Sequence, residues 1–195
     1  MGRTRAPLYG LACAIVALAT PAAALTAIDP LTRQPLYGAE DATAKAQASP
    51  VPRQVVSFDS RYAPGTIVVS TSERRLYFVL GNGQAIRYGV GVGRPGFTWA
   101  GAHSITMKRE WPDWRPPAAM LKRRPDLPRY MRGGPDNPLG ARAMYIGSTI
   151  YRIHGSNEPE TIGEAVSSGC IRMTNEDVID LYNRARVGAR VVVQR

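Results

Sequence analysis

A thiol and an imidazole, sixteen residues apart, are the groups in this chain best suited to covalent chemistry. His154 lies in Ile153-His154-Gly155-Ser156-Asn157 and Cys170 in Ser167-Ser168-Gly169-Cys170-Ile171-Arg172-Met173. A cysteine is nucleophilic as its thiolate, and a nearby histidine takes the proton and lowers the thiol pKa. Such a pair suits acyl transfer through a thioester. Gly155 and Gly169 flank the two side chains, where the lack of a Cβ lets backbone approach closely. The N–H groups of Gly169 and Cys170 are candidate donors to a developing oxyanion.

The start of the chain bears on how that cysteine is read. Arg3 and Arg5 precede an apolar run from Leu8 to Ala19, which is short for a membrane span, and Ala22-Ala23-Ala24 supplies a small-residue cleavage pattern. The expectation is a secretory signal over residues 1–24, cut after Ala24, with an uncleaved anchor as the alternative. Cys13 lies inside the apolar run and leaves with the signal, and its place there argues against lipid attachment. The mature chain then keeps one cysteine, Cys170. Exported proteins pair their cysteines, so a leftover thiol points to reactivity or intermolecular pairing.

The net charge is +10. Arg3 and Arg5 carry two of these charges, residues 25–62 balance four basic against four acidic side chains, and the remaining +8 lies beyond. A basic domain favours polyanions such as nucleic acid, anionic lipid or an anionic wall polymer. Export argues against nucleic acid, and a merely basic, soluble surface is the plainer reading.

Residues 25–63 show no sustained period and are expected to be a linker that orders poorly or lies along the domain. Strand patterns begin at Pro64. Thr66 to Ser70 and Leu76 to Leu80 are apolar and β-branched, Gly81-Asn82-Gly83 is a hairpin turn, and Gln84 to Val92 is the returning strand. Gly89, Gly91 and Gly93 leave one face of that strand as bare backbone. No helix follows them, so a dinucleotide site is rejected in favour of close packing in a sheet. Arg94 to Gly140 reads as irregular, with prolines around Trp111 to Pro117 and basic residues from Lys122 to Arg132. Such a segment suits a lid or binding loop. Ala143 to Ile146 and Thr149 to Ile153 are strands about a Gly147-Ser148 turn, placing His154 at a strand end. Thr174 caps a helix with its apolar stripe at Val178, Leu181, Tyr182 and Ala185. Gly188 stops it and Arg190 to Gln194 is the last strand. Cys170 is therefore expected on a turn just before a helix, whose dipole would favour a thiolate.

The His154-Gly155 pair, the step to Cys170 and the Ser-x-Gly-Cys-Ile-Arg-Met run resemble the signature of the L,D-transpeptidase family with the YkuD-type catalytic domain. Tyr88 to Gly93, Glu110 to Trp114 and Asn137 to Ala143 are similar to Gram-negative members, so the likeness covers residues 64–195. It implies a mainly β, sandwich-like catalytic domain with one helix on its C-terminal side and a long irregular lid loop. It also implies that Cys170 attacks the carbonyl between residues three and four of a peptidoglycan stem peptide, expels a D-alanine and forms a thioester. An amine then takes the acyl group, either on a second stem or on an envelope protein. His154 would move protons, the Ser167 carbonyl would orient the histidine, and Arg172 would hold a stem carboxylate or structure the loop. Gly155 and Gly169 complete the expected site. Where many members carry a histidine just before Gly-Cys, this chain has Ser168, so the base is assigned to His154. A periplasmic location and acylation by carbapenems follow from the same likeness.

Other readings stay open: an L,D-carboxypeptidase that hydrolyses the thioester, and a wall-binding domain without catalysis. His103 is the second histidine and reads as a surface or packing residue. Two histidines and one cysteine fall short of a zinc ligand set, so neither metal nor cofactor is expected.

Overall fold

The computed structural model describes Met1, residues 49–58 and residues 61–195. From residue 49 onward these belong to one compact unit, Ala44–Arg195. The expected signal peptide and the linker up to residue 48 lie, apart from Met1, outside the described residues. No helix among the described residues is long and apolar enough to cross a membrane.

The strands fall where β-branched residues and turn glycines place them. β1 (Gln54–Ser57) precedes β2 (Ile67–Ser70), β3 (Arg75–Gly81), β4 (Gln84–Gly89) and β5 (Val92–Gly93). The β3–β4 hairpin turns on Asn82 and Gly83, both left-handed at φ 51° and 70°, as the turn that follows strand twist requires. β6 (Gly101–Glu110), helix α1 (Ala118–Arg123), β7 (Arg142–Ile146) and β8 (Arg152–His154) follow. After a single 3-10 turn at Pro159–Thr161 come β9 (Ala165–Ser167), β10 (Ile171–Arg172), helix α2 (Asn175–Arg184) and β11 (Arg190–Gln194).

Among the described residues the strands form a nine-stranded sheet, β1-β4-β3-β2-β11-β6-β7-β8-β10, and a two-stranded one, β5-β9. β6 joins the two halves of the large sheet. Its first residues pair with β11 and its later ones with β7, with a register irregularity between Ile105 and Met107. Ile67, Leu76, Ile105, Met144, Ile153, Ile171 and Val191, drawn from both halves, share one core with Val178 and Leu181 of α2. Each such side chain contributes about 1.5–3 kcal/mol by leaving water. The Thr174 hydroxyl accepts the Asp177 N–H at 3.2 Å and starts α2. At its other end Lys108 of β6 donates to the carbonyls of Tyr182 and Ala185 at 2.6 and 2.7 Å. The helix is thus capped by the sheet it packs on.

The mainly β architecture with a C-terminal-side helix is the one expected from the sequence. Three details differ. Gln54–Ser57, inside the stretch read as linker, pairs antiparallel with β4, because β4 would otherwise present an open edge there. The segment read as irregular from Arg94 to Gly140 contains β6, at ten residues the longest strand described, and α1. The alternation in β6 is hard to see because both of its faces carry polar residues. β9 is short and takes its place from contact with β5 rather than from its own pattern.

Candidate active site

The site is built on two neighbouring parallel strands. Ile171 pairs with Ile153 and Arg172 with His154. Side chains alternate across a strand. Ile153 and Ile171 therefore enter the core at 0% and 1% exposure. Arg152 and His154 share the opposite face with Arg172, and Cys170, just ahead of β10, joins them. All four line one cavity of about 360 Å³.

His154 sits at the end of β8, as the sequence predicts, and is buried. Its Nδ1 lies 2.6 Å from the Gly155 carbonyl. A carbonyl only accepts, so Nδ1 carries the proton and Nε2 is left to receive one. Burial drives the imidazole pKa down to about 3, and the nearby Arg172 and Arg152 push the same way against the Gly155 carbonyl. The ring is neutral at physiological pH. The orienting carbonyl is thus Gly155's and not the one expected from Ser167, whose carbonyl accepts the Arg94 N–H at 3.0 Å. Gly155 is buried against Asn175 and Gly140. It acts on the ring from behind and takes no part in the cavity wall.

The turn carrying Cys170 is held from three sides. Ser167 Oγ donates to the Cys170 carbonyl at 2.7 Å and accepts the Gly169 N–H at 3.0 Å. The Gly169 carbonyl accepts the Trp99 indole N–H at 2.7 Å. Gly169 has φ +109°, and a Cβ there would stand 2.4 Å from a ring carbon of Tyr151. Tyr151 stacks on Trp99 with centroids 4.6 Å apart, and Gly93 backs the turn, where a Cβ would reach within 3.3 Å of Gly169 Cα. The close approach read from Gly89, Gly91 and Gly93 is therefore real. Because the Gly169 N–H is engaged by Ser167, it is not the free oxyanion donor the sequence suggested. Nor does Cys170 abut a helix: β10 and the Thr174 cap stand between it and α2, so the helix dipole does not reach it. The thiol is half-buried. Burial raises its pKa, while the N–H and guanidinium of Arg152 and the charge of Arg172 pull the other way.

Arg172 donates to Glu158 Oε2 at 2.6 Å and Ser156 Oγ at 2.8 Å. It orders the loop after His154 while facing the cavity. Ser168 accepts from Arg94 at 3.4 Å. His103 lies on β6 with its ring edge-on to Trp99 at 5.8 Å, a packing position outside the cavity.

The segment after β6 lines one side of the cavity. Trp114 and Met131 exchange backbone hydrogen bonds at 2.8 and 2.9 Å and close the excursion at its base. The buried Asn137 amide donates to the carbonyls of Pro112, Met131 and Arg132. Trp114, Pro117, Met120, Arg123 and Leu127 then form a wall of the cavity. Arg94 and Arg123 both lie over the Phe97 ring, at 4.2 and 5.0 Å, and join α1 to the floor near Cys170.

Sequence reasoning missed Arg152, Arg94, Trp99 and Tyr151. The alternation in Arg152-Ile153-His154 was the available signal for Arg152, which two-residue spacing puts on the face of His154. No local pattern marked Trp99, whose role comes from a residue seventy positions away.

Cys170 and a carbonyl-oriented imidazole, His154, thus line one cavity. Residues 64–193 match the family model YkuD, the L,D-transpeptidase catalytic domain, and the chain belongs to that family. An Escherichia coli K12 relative described as the probable L,D-transpeptidase ErfK/SrfK is 35% identical over 152 residues, covering 73% of this chain and 47% of the relative. The chain thus spans about half the length of the curated relatives it matches first. Among solved structures, L,D-transpeptidase 3 of Mycobacterium tuberculosis aligns with a TM-score of 0.53 at 22% identity, over 67% of this chain and 60% of that one. A Brucella melitensis protein described as a probable carnitine operon oxidoreductase is 46% identical, with a TM-score of 0.50 over 73% of this chain and 93% of its own.

Proposed function

We propose that this protein is a cysteine-dependent L,D-transpeptidase acting on peptidoglycan stem tetrapeptides in the periplasm. The observation that supports the reading is that Cys170, just ahead of β10, and His154, at the end of β8, line one cavity. The Cys170 Sγ–H bond breaks as the sulfur attacks the carbonyl between stem residues three and four, and the proton goes to His154 Nε2. The Cys170 N–H is the backbone donor that meets the oxyanion. Collapse breaks the carbon–nitrogen bond, and His154 returns the proton to the departing D-alanine amine. The resulting thioester is attacked by an amine of a second stem or of an envelope protein. That amine gives its proton to His154, the carbon–sulfur bond breaks and the thiol is restored.

The resting pair is neutral, since burial disfavours both the thiolate and the imidazolium. Proton transfer then accompanies attack rather than preceding it. The lid favours transfer over hydrolysis, because an amine outcompetes water only where water is excluded and the amine is positioned. Arg172 and the basic residues of the lid suit the carboxylates of the stems.

The test is incubation of the purified protein with stem tetrapeptide and an acceptor amine. A thioester adduct on Cys170 by mass spectrometry, together with a crosslinked product, supports the reading. Absence of any adduct would refute it, and an adduct that only hydrolyses would favour the carboxypeptidase.

A further inference from the structure

Cys170 and His154 have a third neighbour on their face. We propose that Arg152 is a catalytic residue of this site, its guanidinium stabilising the Cys170 sulfur as negative charge develops on it during attack. The inference rests on the assignment of Cys170 as nucleophile above.

The strand register places it there. Arg172 is the partner of His154, and Cys170 and Arg152 each precede those residues by two, so thiol and guanidinium stand level across the strand pair. Both line the cavity, and the N–H and guanidinium of Arg152 pull the thiol pKa down against burial. The other cavity arginines are engaged elsewhere. Arg172 is paired with Glu158 and Arg124 with Asp126, each at 2.6 Å. Arg94 bonds Ser168, and it and Arg123 lie over Phe97. Among the described residues Arg152 forms no ion pair. Its guanidinium lies over the Tyr145 ring at 5.0 Å, its Nη1 reaches the Ile150 carbonyl only at 3.4 Å, and its Nε is buried without a partner. A half-buried, partly unsatisfied guanidinium beside a sulfur gains a charge-assisted contact when that sulfur becomes anionic.

The need for such a cation follows from the rest of the site. His154 is neutral, and no helix terminus faces the thiol. The charged and titratable groups around the sulfur are His154 and Arg152 from β8, Arg172 from β10, Arg94 from the loop after β5, Arg123 from α1 and Arg124 just after it. Glu158, held by Arg172, is the acidic member of the wall. Arg152 also disfavours charge on His154, but it is the weakest influence on that ring, whereas at the thiol it is the foremost group opposing burial. Arg152 exchanges no proton: the thiol proton still passes to His154 as the carbon–sulfur bond forms.

Alkylation of Cys170 by iodoacetamide, a neutral reagent, reads the thiolate without stem peptide. Rates are measured against pH for the wild type, Arg152→Met, Arg152→Gln and Arg152→Lys, with thermal melting to establish which variants fold. An opposite charge within about 4–6 Å moves a pKa by about one to three units. Arg152→Met should therefore move the inflection up by about one unit and slow alkylation near neutral pH about tenfold. Arg152→Lys should retain most of the rate, and Arg152→Gln serves as the second uncharged variant. An unchanged profile in a folded uncharged variant overturns the proposal, as does a lysine variant as slow as the uncharged ones. A wild-type chain that alkylates normally yet transfers no acyl group would instead defeat the transpeptidase reading, leaving the effect of Arg152 on the sulfur measurable.

Discussion

His154 and Arg172 are register partners on adjacent parallel strands, and this pairing arranges the whole site. It sets the imidazole beside the loop that Arg172 orders and brings Cys170 into range of the same face. The geometry belongs to a strand pair backed by Ile153 and Ile171, which are buried in the core, so it is rigid before substrate arrives.

Replacing the nucleophile is the first expectation. Cys170→Ser should remain folded and lose stem-peptide turnover, because a hydroxyl is far less acidic than a thiol and a neutral imidazole alone does not activate it. The wild type should gain the intact mass of one carbapenem, and the variant should not. Near-native turnover by Cys170→Ser would displace the assignment.

His154→Ala should lower the acylation rate by about 10²–10⁴, the usual contribution of a positioned general base. Alkylation of Cys170 should also slow near neutral pH. Equal alkylation in both proteins across the pH range would separate this histidine from the thiol.

The depressed pKa of His154 also predicts an acid sensitivity of the fold. Between its ordinary value of 6.5 and its folded value of about 3, the unfolded chain holds a proton that the native chain does not. The contribution of His154 to stability is thus present above about 6.5 and lost as pH falls towards 3. Between pH 7 and pH 5 it should cost about 2 kcal/mol. Denaturant unfolding of the wild type and of His154→Gln at both pH values measures it. The variant should lose less stability on acidification, and identical losses would contradict the buried neutral ring.

Gly169→Ala should cost about 1–3 kcal/mol, through the left-handed backbone and the collision with Tyr151. Relief of that collision would move the turn, so acylation should fall more steeply than stability suggests. Trp99→Phe keeps the stack and removes the indole donor to Gly169, and it should show a milder form of the same loss. Unchanged acylation in both variants would mean that the turn is held without this support.

Shortening the lid between Trp114 and Arg132 should lower the crosslink-to-hydrolysis ratio more than thioester formation. Acylation by mass spectrometry and both products by chromatography on one variant supply the comparison. An unchanged ratio would return the segment to a packing role.

The residues themselves determined a good deal of this protein. Hairpin turn chemistry at Asn82-Gly83, β-branched runs at Ile67 to Ser70 and Arg190 to Gln194, and the Thr174 cap are local effects, so they are legible in a linear chain. That Cys170 and His154 meet in one cavity was legible too, because residue type limits which groups suit covalent chemistry. The tertiary structure decided what depends on contacts between distant segments. Whether Gly155 or Ser167 turns its carbonyl to the imidazole depends on the backbone path after β8, and which cation reaches the sulfur depends on the register of β8 against β10. The resting charge of the pair followed the same way, since burial raises the thiol pKa and lowers that of the imidazole, and desolvation exists only once the β6–β7 half of the sheet and the lid have closed around them.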